Sequence, residues 1–153
     1  MDAALRKARI QDVKTIHGML LACDDGIVLP RSFNQLYSHL REFYVMADKG
    51  SGEVVGCCAL SICWEDLAEV RSLFVRKDHR GEGLGRALVE ACLSEAVTLG
   101  LFRVFVLTDQ VAFFSHMGFV EVGKDTLPQK VWADCLNCPR FPDCEEIAML
   151  MEL

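Results

Sequence analysis

A short stretch of this sequence combines glycines with cations in a spacing suited to binding an anion. The stretch Glu69–Gly85 reads E-V-R-S-L-F-V-R-K-D-H-R-G-E-G-L-G, with Arg80 ahead of glycines at alternate positions. Glycine lacks a Cβ, so a phosphate can approach its backbone closely. If a helix begins here, its first N–H groups have no intrahelical partner and carry the positive end of the helix dipole. The spacing therefore predicts a phosphate-binding loop.

The residues on either side of the glycines predict the elements that would position them. Val70, Leu73, Phe74 and Val75 favour a strand. After the glycines, apolar residues recur at helical spacing until Gly100, which is placed to end the helix. A strand, a glycine loop and a helix start in this order have the geometry of an anion site.

The charge around the loop differs in sign from that of the chain, whose formal net charge is −6. A local positive field on an acidic molecule favours a small polyanion over nucleic acid as the partner. On the loop alone, a tight turn with a solvated basic edge remains an alternative. The residues that crowd around the loop are Arg76, Lys77, His79, Arg80 and Arg86.

The loop matches one known phosphate-binding pattern and lacks two others. It has no Gly-Lys-Ser/Thr of a P-loop and no dinucleotide fingerprint near a first strand. Arg80-x-x-Gly83-x-Gly85 after a strand resembles the pyrophosphate motif of the GNAT acetyltransferases, which bind acetyl-coenzyme A. The resemblance implies acetyl-coenzyme A contacts at Leu73, Phe74, Val75, Arg80, Gly81, Glu82, Gly83, Leu84, Gly85 and Arg86.

The order of predicted elements is similar to the GNAT fold, an α/β fold, over essentially the whole chain. That fold implies a mixed, mostly antiparallel sheet with flanking helices, whose central strands diverge around the acetyl-pantetheine arm. Asp12 and the Ser32/Gln35 capping box are predicted to start the first two helices, and Phe33 and Tyr37 to lie on the apolar face of the second. We predict a strand at 5–10, helices at 13–23 and 33–40, strands at 43–47, 54–63 and from 69, a helix after 85, a strand at 104–107, a helix at 111–117 and strands at 120–122 and 147–151.

Glu69 is the candidate general base. Making an amide from a thioester requires a neutral amine, yet an amino group is mostly protonated at pH 7, so a carboxylate or a water that it polarises must take a proton. Glu69 is predicted at the start of the central strand, where the resemblance implies a glutamate beside the acceptor. Glu65 and Asp66 in the preceding turn are substitutes, and a solvated carboxylate at a strand end is the structural alternative.

The residue that usually acts as the general acid in this family is replaced in this chain. Many GNAT enzymes carry a tyrosine four residues before the glycine of a Gly-Phe pair, where it protonates the leaving thiolate. In this chain that residue is Phe114. Another group or solvent must then protonate the thiolate, which leaves readily because coenzyme A is a thiol of moderate pKa.

Further segments resemble the acetyltransferase domain of bacterial N-acetylglutamate synthases. The resemblance implies L-glutamate as the acceptor and N-acetylglutamate formation, the first step of arginine biosynthesis. It also implies that Arg31 binds a carboxylate, that Thr108 hydrogen-bonds the substrate, and that Arg71 or Lys130 helps. The matching segments are Gly26-Ile27-Val28-Leu29-Pro30-Arg31-Ser32, Val106-Leu107-Thr108, Phe113-Phe114, Met117-Gly118-Phe119-Val120 and Leu127-Pro128-x-Lys130.

Length and composition predict one domain over residues 1–153. The chain has 153 residues, of which 52% are hydrophobic, enough for one core. We see neither an apolar run of about 20 residues nor a signal peptide. We therefore expect a cytoplasmic enzyme with no membrane or nucleic-acid partner, without the kinase-like domain of the long synthases. The oligomeric state is open, with a homodimer as one option.

Three of the eight cysteines form a cluster whose role stays open. Cys135-x-x-Cys138-x5-Cys144 lies in a proline-containing segment, with Glu145 next to it. A zinc site, a disulfide or free thiols near the acceptor are all compatible with this spacing. The other five, Cys23, Cys57, Cys58, Cys63 and Cys92, fall in apolar patterns typical of buried reduced thiols.

The residues and the resemblance together predict an acetyl-coenzyme A-dependent N-acetyltransferase for L-glutamate that works by direct attack in a ternary complex. Two alternatives remain open. One is an enzyme of the same fold with a different amine acceptor, for which Arg31 would be unimportant. The other is a catalytically silent sensor that binds coenzyme A, for which Glu69 would be unimportant.

Overall fold

A seven-stranded sheet with helices on both faces makes up the described part of the chain. The computed structural model describes residues 2–22, 32–127 and 146–153. The strands are β1 (Ala3–Lys7), β2 (Phe43–Asp48), β3 (Val54–Trp64), β4 (Leu67–Val75), β5 (Arg103–Thr108), β6 (Val120–Glu121) and β7 (Ile147–Glu152). The helices are α1 (Val13–Leu21), α2 (Phe33–Ser38), α3 (Leu84–Thr98) and α4 (Val111–His116), with short 3-10 turns between elements.

The sheet has the order β1-β2-β3-β4-β5-β7-β6 and one parallel pair. β4 and β5 run parallel, whereas the other neighbouring strands run antiparallel. A parallel pair needs a crossover connection, and α3 provides it between β4 and β5. The mixed, mostly antiparallel sheet is the one predicted.

Two apolar layers bury the two faces of the sheet. On the face that we call the α3 face, Leu88 of α3 and Phe114 of α4 pack with Val70 of β4. On the opposite face, the α1 face, Ile16 of α1 and Leu36 of α2 pack over β2 and β3. Because successive strand residues point to opposite faces, each central strand contributes to both layers.

The predicted order of elements is confirmed, with shifted boundaries at two strands. β1 lies at Ala3–Lys7 rather than at 5–10, because Ile10 begins a 3-10 turn, Ile10–Asp12, instead of continuing the strand. β4 begins at Leu67, two residues before Glu69. Glu69 is therefore inside the strand and not at its start.

The two predicted helix caps have different outcomes. The capping box at α2 is confirmed, since the Gln35 N–H donates to Ser32 Oγ (3.2 Å) and the Ser32 N–H donates to Gln35 Oε1 (3.0 Å). Asp12 precedes α1, but its carboxylate makes no capping bond to that helix. It accepts instead from the Arg9 N–H (2.7 Å) and from two guanidinium nitrogens of Arg6 (2.7 and 3.1 Å). Asp12 thereby ties β1 to the start of α1.

Only part of the predicted apolar face of the second helix is buried. Leu36 and Leu40 are buried, but Phe33 is 44% exposed and Tyr37 is 45% exposed. α2 is only six residues long, and its buried side rests on the α1 layer through Leu36. The Phe33 ring stacks on His17 of α1 at a centroid distance of 4.0 Å instead of entering the core.

Replacing Asp12 by alanine should lower the free energy of unfolding by about 2 kcal/mol, because the partly buried Arg6 guanidinium would lose its hydrogen-bonded partner. Burial acts to raise the pKa of Asp12, but hydrogen bonds from Arg6 and Arg9 outweigh burial and lower it. A depressed pKa gives stability that is present above the unfolded-state value, about 3.9, and is lost as pH falls through the folded value.

Urea unfolding at pH 7 and below pH 4 measures this effect. The difference between the wild type and Asp12→Ala should be large at pH 7 and should shrink in acid. Asp2→Ala is the control, because Asp2 and Lys49 form an exposed pair (3.4 Å) that should contribute less than about 0.5 kcal/mol. Equal losses for the two variants would contradict the structural role of Asp12.

Candidate active site

β4 and β5 separate after Glu69. Their parallel register runs Leu67↔Arg103, Ala68↔Val104 and Glu69↔Phe105, and within the described residues no further pair follows. Residues 70–75 of β4 therefore have no ladder partner on β5 in that part of the chain. A gap opens between the two strands, and Glu69 lies at its closed end.

A β-bulge at Ser72 accompanies this divergence. Ser72 has φ 57°, and the β3–β4 register shifts by one residue between the pairs Ala59↔Arg71 and Cys57↔Phe74. An extra residue on one strand bends it and increases its twist. The bulge therefore turns the second half of β4 away from the line of β5.

Two buried thiols line the bulge on its β3 side. Cys57 Sγ lies 3.4 Å from the Ser72 carbonyl oxygen, and Cys58 Sγ lies 3.8 Å from that of Arg71. Contact with the Cys92 thiol and complete burial raise the pKa of Cys58 well above its ordinary value, so this thiol keeps its proton. The sequence predicts these cysteines only as small apolar residues; their contacts with the bulge depend on strand register.

The β4 residues that are predicted to contact acetyl-coenzyme A have side chains on both faces of the sheet. Leu73 and Val75 pack on the α3 face, whereas Phe74 packs on the α1 face. Arg76 continues the β3 contact, since its N–H donates to the Val55 carbonyl (2.8 Å). The side of β4 that faces the gap is thus left with backbone groups able to bind an extended ligand.

The glycine loop leads directly into α3, as predicted. Gly81 and Gly83 have φ values of 83° and 80°, in the left-handed region, and Gly83 is the residue before the helix. A Cβ added at either position would meet no atom within 4 Å. The Phe113 ring of α4 lies 3.6 Å from where a Cβ on Gly85 would stand. The loop therefore presents open backbone on its outer side and packed backbone at Gly85.

Carboxylates offset much of the positive charge that the sequence predicts at the loop. Arg76 pairs with Glu53 and lies 3.6 Å from Asp78. The ring nitrogens of His79 lie 3.6 Å from Asp78 and 3.7 Å from Glu82. These partners reduce the local field to less than the five cationic residues suggest.

Arg86 is also paired, which leaves Lys77 and Arg80 as the cations at the loop for which the described residues provide no ion pair. Arg86 Nε donates to Glu90 Oε1 (2.9 Å) one turn along α3. Arg80 Nε donates to the Val75 carbonyl (2.9 Å), and its guanidinium lies 5.8 Å from the centre of the Phe74 ring. Both cations line a cavity of about 660 Å³ together with Thr15, Gly18, Met19, Ala22, Phe74, Arg76 and Asp78.

Glu69 and Arg71 form a pair of opposite charges at the closed end of the gap. Two residues apart on a strand, they share one face, and Arg71 Nη1 lies 3.8 Å from Glu69 Oε1. Their side chains are 13% and 20% exposed, respectively. A partly buried carboxylate at this point is suitably placed to take a proton from a group that enters the gap.

Thr108 lies on the other face from Glu69. Thr108 pairs with Ile147, which packs on the α3 face, whereas Glu69 pairs with Phe105, which packs in a separate cluster with Leu67 on the opposite face of the strands. The Thr108 side chain is buried, and its hydroxyl accepts the Gln110 N–H (2.8 Å) just before α4. The structure therefore does not bring the Thr108 hydroxyl beside Glu69 and Arg71, because strand alternation turns it to the α3 face.

The Phe114 ring cannot serve as an acid. It is buried in the α3 layer and makes edge contacts with Phe113 (4.9 Å) and Phe119 (5.2 Å). The chain has two tyrosines, Tyr37 and Tyr44. The Tyr44 hydroxyl donates to Glu95 Oε2 (3.0 Å), and burial together with this bond raises the pKa of Tyr44 to about 12.

Residues 39–121 match the acetyltransferase (GNAT) domain family, more than half of the chain. The chain belongs to the GNAT acetyltransferase family. The diverging central strands and the glycine loop before α3 lie within the matched range. The predicted family resemblance is confirmed.

Individual relatives extend the likeness over most of the chain. An uncharacterized N-acetyltransferase of Chlorobaculum tepidum is 41% identical over 153 residues, covering 99% of this chain and 97% of that protein. An amino-acid acetyltransferase of Mycobacterium tuberculosis is 39% identical over 119 residues, covering 77% of this chain and 68% of that protein.

A solved structure confirms the GNAT fold. N-acetylglutamate synthase from Neisseria gonorrhoeae, complexed with coenzyme A and N-acetyl-glutamate, superposes with a TM-score of 0.88 at 26% identity. The match covers 100% of this GNAT chain but 35% of the synthase. This chain thus spans about a third of that enzyme's length.

Several predicted residues fall outside the described ranges. These include the predicted acceptor contacts Arg31 and Lys130 and the cysteines Cys135, Cys138 and Cys144. Within residues 2–22, 32–127 and 146–153, no group of three or more potential metal ligands comes together. No helix in those ranges is long and apolar enough to cross a membrane.

Proposed function

We propose that this GNAT protein transfers the acetyl group of acetyl-coenzyme A to the α-amino group of L-glutamate. The observation that carries the proposal is the position of Glu69, the last residue of β4 that pairs with β5. A carboxylate at the closed end of a gap between two strands is where an amine would meet a thioester inserted from the open end. Formation of N-acetylglutamate would place the protein at the start of arginine biosynthesis.

The donor site suits a long, thin ligand with a diphosphate. After Glu69, the edge of β4 that faces the gap has backbone groups without a partner strand on β5 within the described residues. The amide-containing pantetheine arm could hydrogen-bond to them in the way that a neighbouring strand does. Gly81 and Gly83 leave open backbone ahead of α3, where the helix dipole favours negative charge. Arg80, anchored through Nε to the Val75 carbonyl, holds its remaining guanidinium nitrogens at the same end. The residues present therefore fit coenzyme A.

The chemistry assigned to Glu69 is removal of one proton from the acceptor ammonium, directly or through a water. The freed nitrogen lone pair attacks the thioester carbonyl carbon, a C–N bond forms and the C–S bond breaks. The sulfur leaves with the electron pair of that bond, and the nitrogen, which still carries two protons after the attack, releases one of them to solvent to give the neutral amide. Backbone N–H groups of Phe74 and Val75 are our candidates to stabilise the negative charge that builds up on the carbonyl oxygen.

Solvent is the proposed proton source for the departing thiolate. Phe114 has no proton to give, and the Tyr44 hydroxyl is engaged with Glu95 on the α3 face. A thiol of moderate pKa leaves without an obligatory acid, because its thiolate is stable near neutral pH. The reaction thus requires a base at Glu69 more than it requires an acid.

Recognition of glutamate is proposed from the resemblance to the synthases and from the neighbouring complex with N-acetyl-glutamate. Arg31 and Lys130 remain the predicted contacts for the acceptor carboxylates. Thr108 and Arg71 stay in this set as predictions; the Thr108 hydroxyl accepts the Gln110 N–H and keeps its own hydrogen to donate.

Product analysis by mass spectrometry tests the proposal. The protein is incubated with acetyl-coenzyme A and each common amino acid in turn, and N-acetylglutamate is expected as the main product. Mass spectrometry is preferred because eight cysteines would react with thiol dyes. A different acetylated amine would overturn the glutamate assignment, and donor binding without any product would favour the silent sensor.

A further inference from the structure

We propose that Cys57 is a positioning residue for the acetyl transfer, whose thiol donates to the Ser72 carbonyl and so holds the β4 bulge in the form that directs the Val75 N–H into the gap. The inference rests on the proposed function in one respect, the assignment of the transfer to the gap between β4 and β5. It goes further by assigning part of the geometry of the transfer to a buried side chain of β3, on the far side of β4 from the gap.

The bulge changes which residues of β4 point to which face of the sheet. Ala68 and Val70 pack on the α3 face before the bulge, and Leu73 and Val75 pack on the same face after it. Successive residues of a strand point to opposite faces, so in a regular strand the even-numbered positions would continue on the α3 face. The extra residue places the odd-numbered positions there instead.

The bulge also decides which backbone groups face the gap. The Arg76 N–H donates to the Val55 carbonyl of β3 (2.8 Å), and hydrogen-bonded pairs alternate with non-hydrogen-bonded pairs along an antiparallel ladder. The backbone groups of Val75 therefore point away from β3 and toward the gap. The Val75 carbonyl is consistent with this orientation, because it accepts from Arg80 Nε (2.9 Å). Of the two N–H groups proposed to stabilise the oxyanion, the one on Val75 thus faces the gap.

Two thiols of β3 contact the bulge from opposite faces of the sheet. Cys57 is completely buried in the α1 layer, and Cys58 is completely buried in the α3 layer. Cys57 Sγ lies 3.4 Å from the Ser72 carbonyl oxygen, and Cys58 Sγ lies 3.8 Å from the Arg71 carbonyl oxygen. An S–H group is a weak donor, but a hydrogen bond is stronger inside a protein than in water. Two consecutive carbonyls of the bulge are therefore held, and the shorter contact is the one at Ser72.

The backbone conformation of Ser72 requires such support. Its φ of 57° lies in the left-handed region, which is unfavourable for a residue with a Cβ. Strained backbone of this kind persists only where the surrounding structure holds it. When the bond from Cys57 is removed, we expect the bulge to adopt other conformations and the Val75 N–H to spend less time directed into the gap.

The kinetics of Cys57→Ala test the assignment. With acetyl-coenzyme A and the acceptor saturating, kcat should fall about 10-fold, because a small displacement of an oxyanion donor is costly. The affinity for coenzyme A, measured by calorimetry, should stay within about twofold of the wild type, because the glycine loop ahead of α3 supplies the diphosphate contacts.

Val45→Ala is the matched control. Val45 pairs with Cys57 on the β2 side, is equally buried and packs in the same layer. It should lower the free energy of unfolding at least as much as Cys57→Ala, because it removes two methyl groups from that layer, yet kcat should stay within about twofold of the wild type.

Cys57→Val separates the hydrogen bond from packing. Valine fills the space of the thiol and favours a strand, but it has no donor. This variant should therefore regain stability relative to Cys57→Ala and still show the loss of kcat. Wild-type kcat in Cys57→Val would assign Cys57 to packing alone and overturn the inference.

The S–H stretching band gives a readout that is independent of turnover. The difference between the infrared spectra of the wild type and Cys57→Ala isolates the band of this thiol. An S–H group that donates a hydrogen bond absorbs at lower frequency than one without an acceptor. The Cys57 band should therefore lie below that of an alkanethiol dissolved in a hydrocarbon.

The outcomes separate this inference from the proposed function. If glutamate is acetylated but Cys57→Ala lowers kcat no more than Val45→Ala does, the role of Cys57 is overturned and the proposed function stands. A Cys57 band at the frequency of the dissolved alkanethiol overturns the inference as well. If another amine is acetylated, the same variants are compared with that amine, and the inference is tested although the glutamate proposal has failed. If no amine is acetylated, both fail.

Discussion

Replacing Glu69 by glutamine should lower kcat by about 10²–10⁴-fold while leaving coenzyme A affinity unchanged. Glutamine keeps the size of the side chain but cannot take a proton from the acceptor ammonium. The donor site is unaffected, because Gly81 and Gly83 lie beyond the far end of β4 from Glu69. Turnover is measured by mass spectrometry and coenzyme A binding by calorimetry.

The pH dependence of this loss gives a second test of the base. A free amino group is increasingly deprotonated as pH rises through its own pKa, so the need for a protein base declines. The deficit of Glu69→Gln should therefore be largest near pH 7 and should narrow toward alkaline pH. Glu65→Gln is the control, since Glu65 is an exposed carboxylate in the turn before β4. A comparable loss in Glu65→Gln alone would move the base to that turn.

Replacing Gly83 by valine should weaken coenzyme A binding by about 10–100-fold, because a side chain would occupy the space through which a phosphate reaches the backbone. Gly83 has φ 80°, and a Cβ there meets no protein atom within 4 Å. A β-branched residue in the left-handed region is also strained, by about 1–3 kcal/mol. The free energy of unfolding should fall as well.

Gly52→Val separates the two effects. Gly52 lies in the turn between β2 and β3, has φ 74°, and likewise has no atom within 4 Å of an added Cβ. It should therefore show a similar loss of stability with wild-type coenzyme A affinity. Equal affinities in Gly83→Val and Gly52→Val would contradict close approach of the phosphate to the loop.

Several features of this protein follow from local sequence. The left-handed glycines before α3, the Ser32 capping box and the end of α3 at Gly100 are set by residues within a few positions of one another. Local sterics and unpaired backbone groups decide them, so the sequence predicts them correctly. The role of Glu69 as the base stays a prediction.

Burial on short elements is less predictable. Phe33 and Tyr37 have the spacing of an apolar helix face, yet both are exposed because α2 has only six residues. Asp12 has the spacing of a helix cap, but Arg6 and Arg9 compete for its carboxylate. At Asp12, the ion pair with Arg6 of β1 outweighs the local capping preference.

The sequence by itself determined the fold class, the position of the glycine loop and the candidate base. Tertiary structure alone decided where β4 leaves β5, through a bulge at Ser72 that depends on the register with β3. It also paired Arg76 with Glu53 across distant segments, turned Thr108 to the α3 face and placed Arg71 Nη1 3.8 Å from Glu69 Oε1 at the gap. The physical reason is the sequence separation of the interacting residues. Helix starts and turns depend on neighbouring residues, whereas strand register and the ion pairs between strands depend on segments that meet only when the sheet assembles.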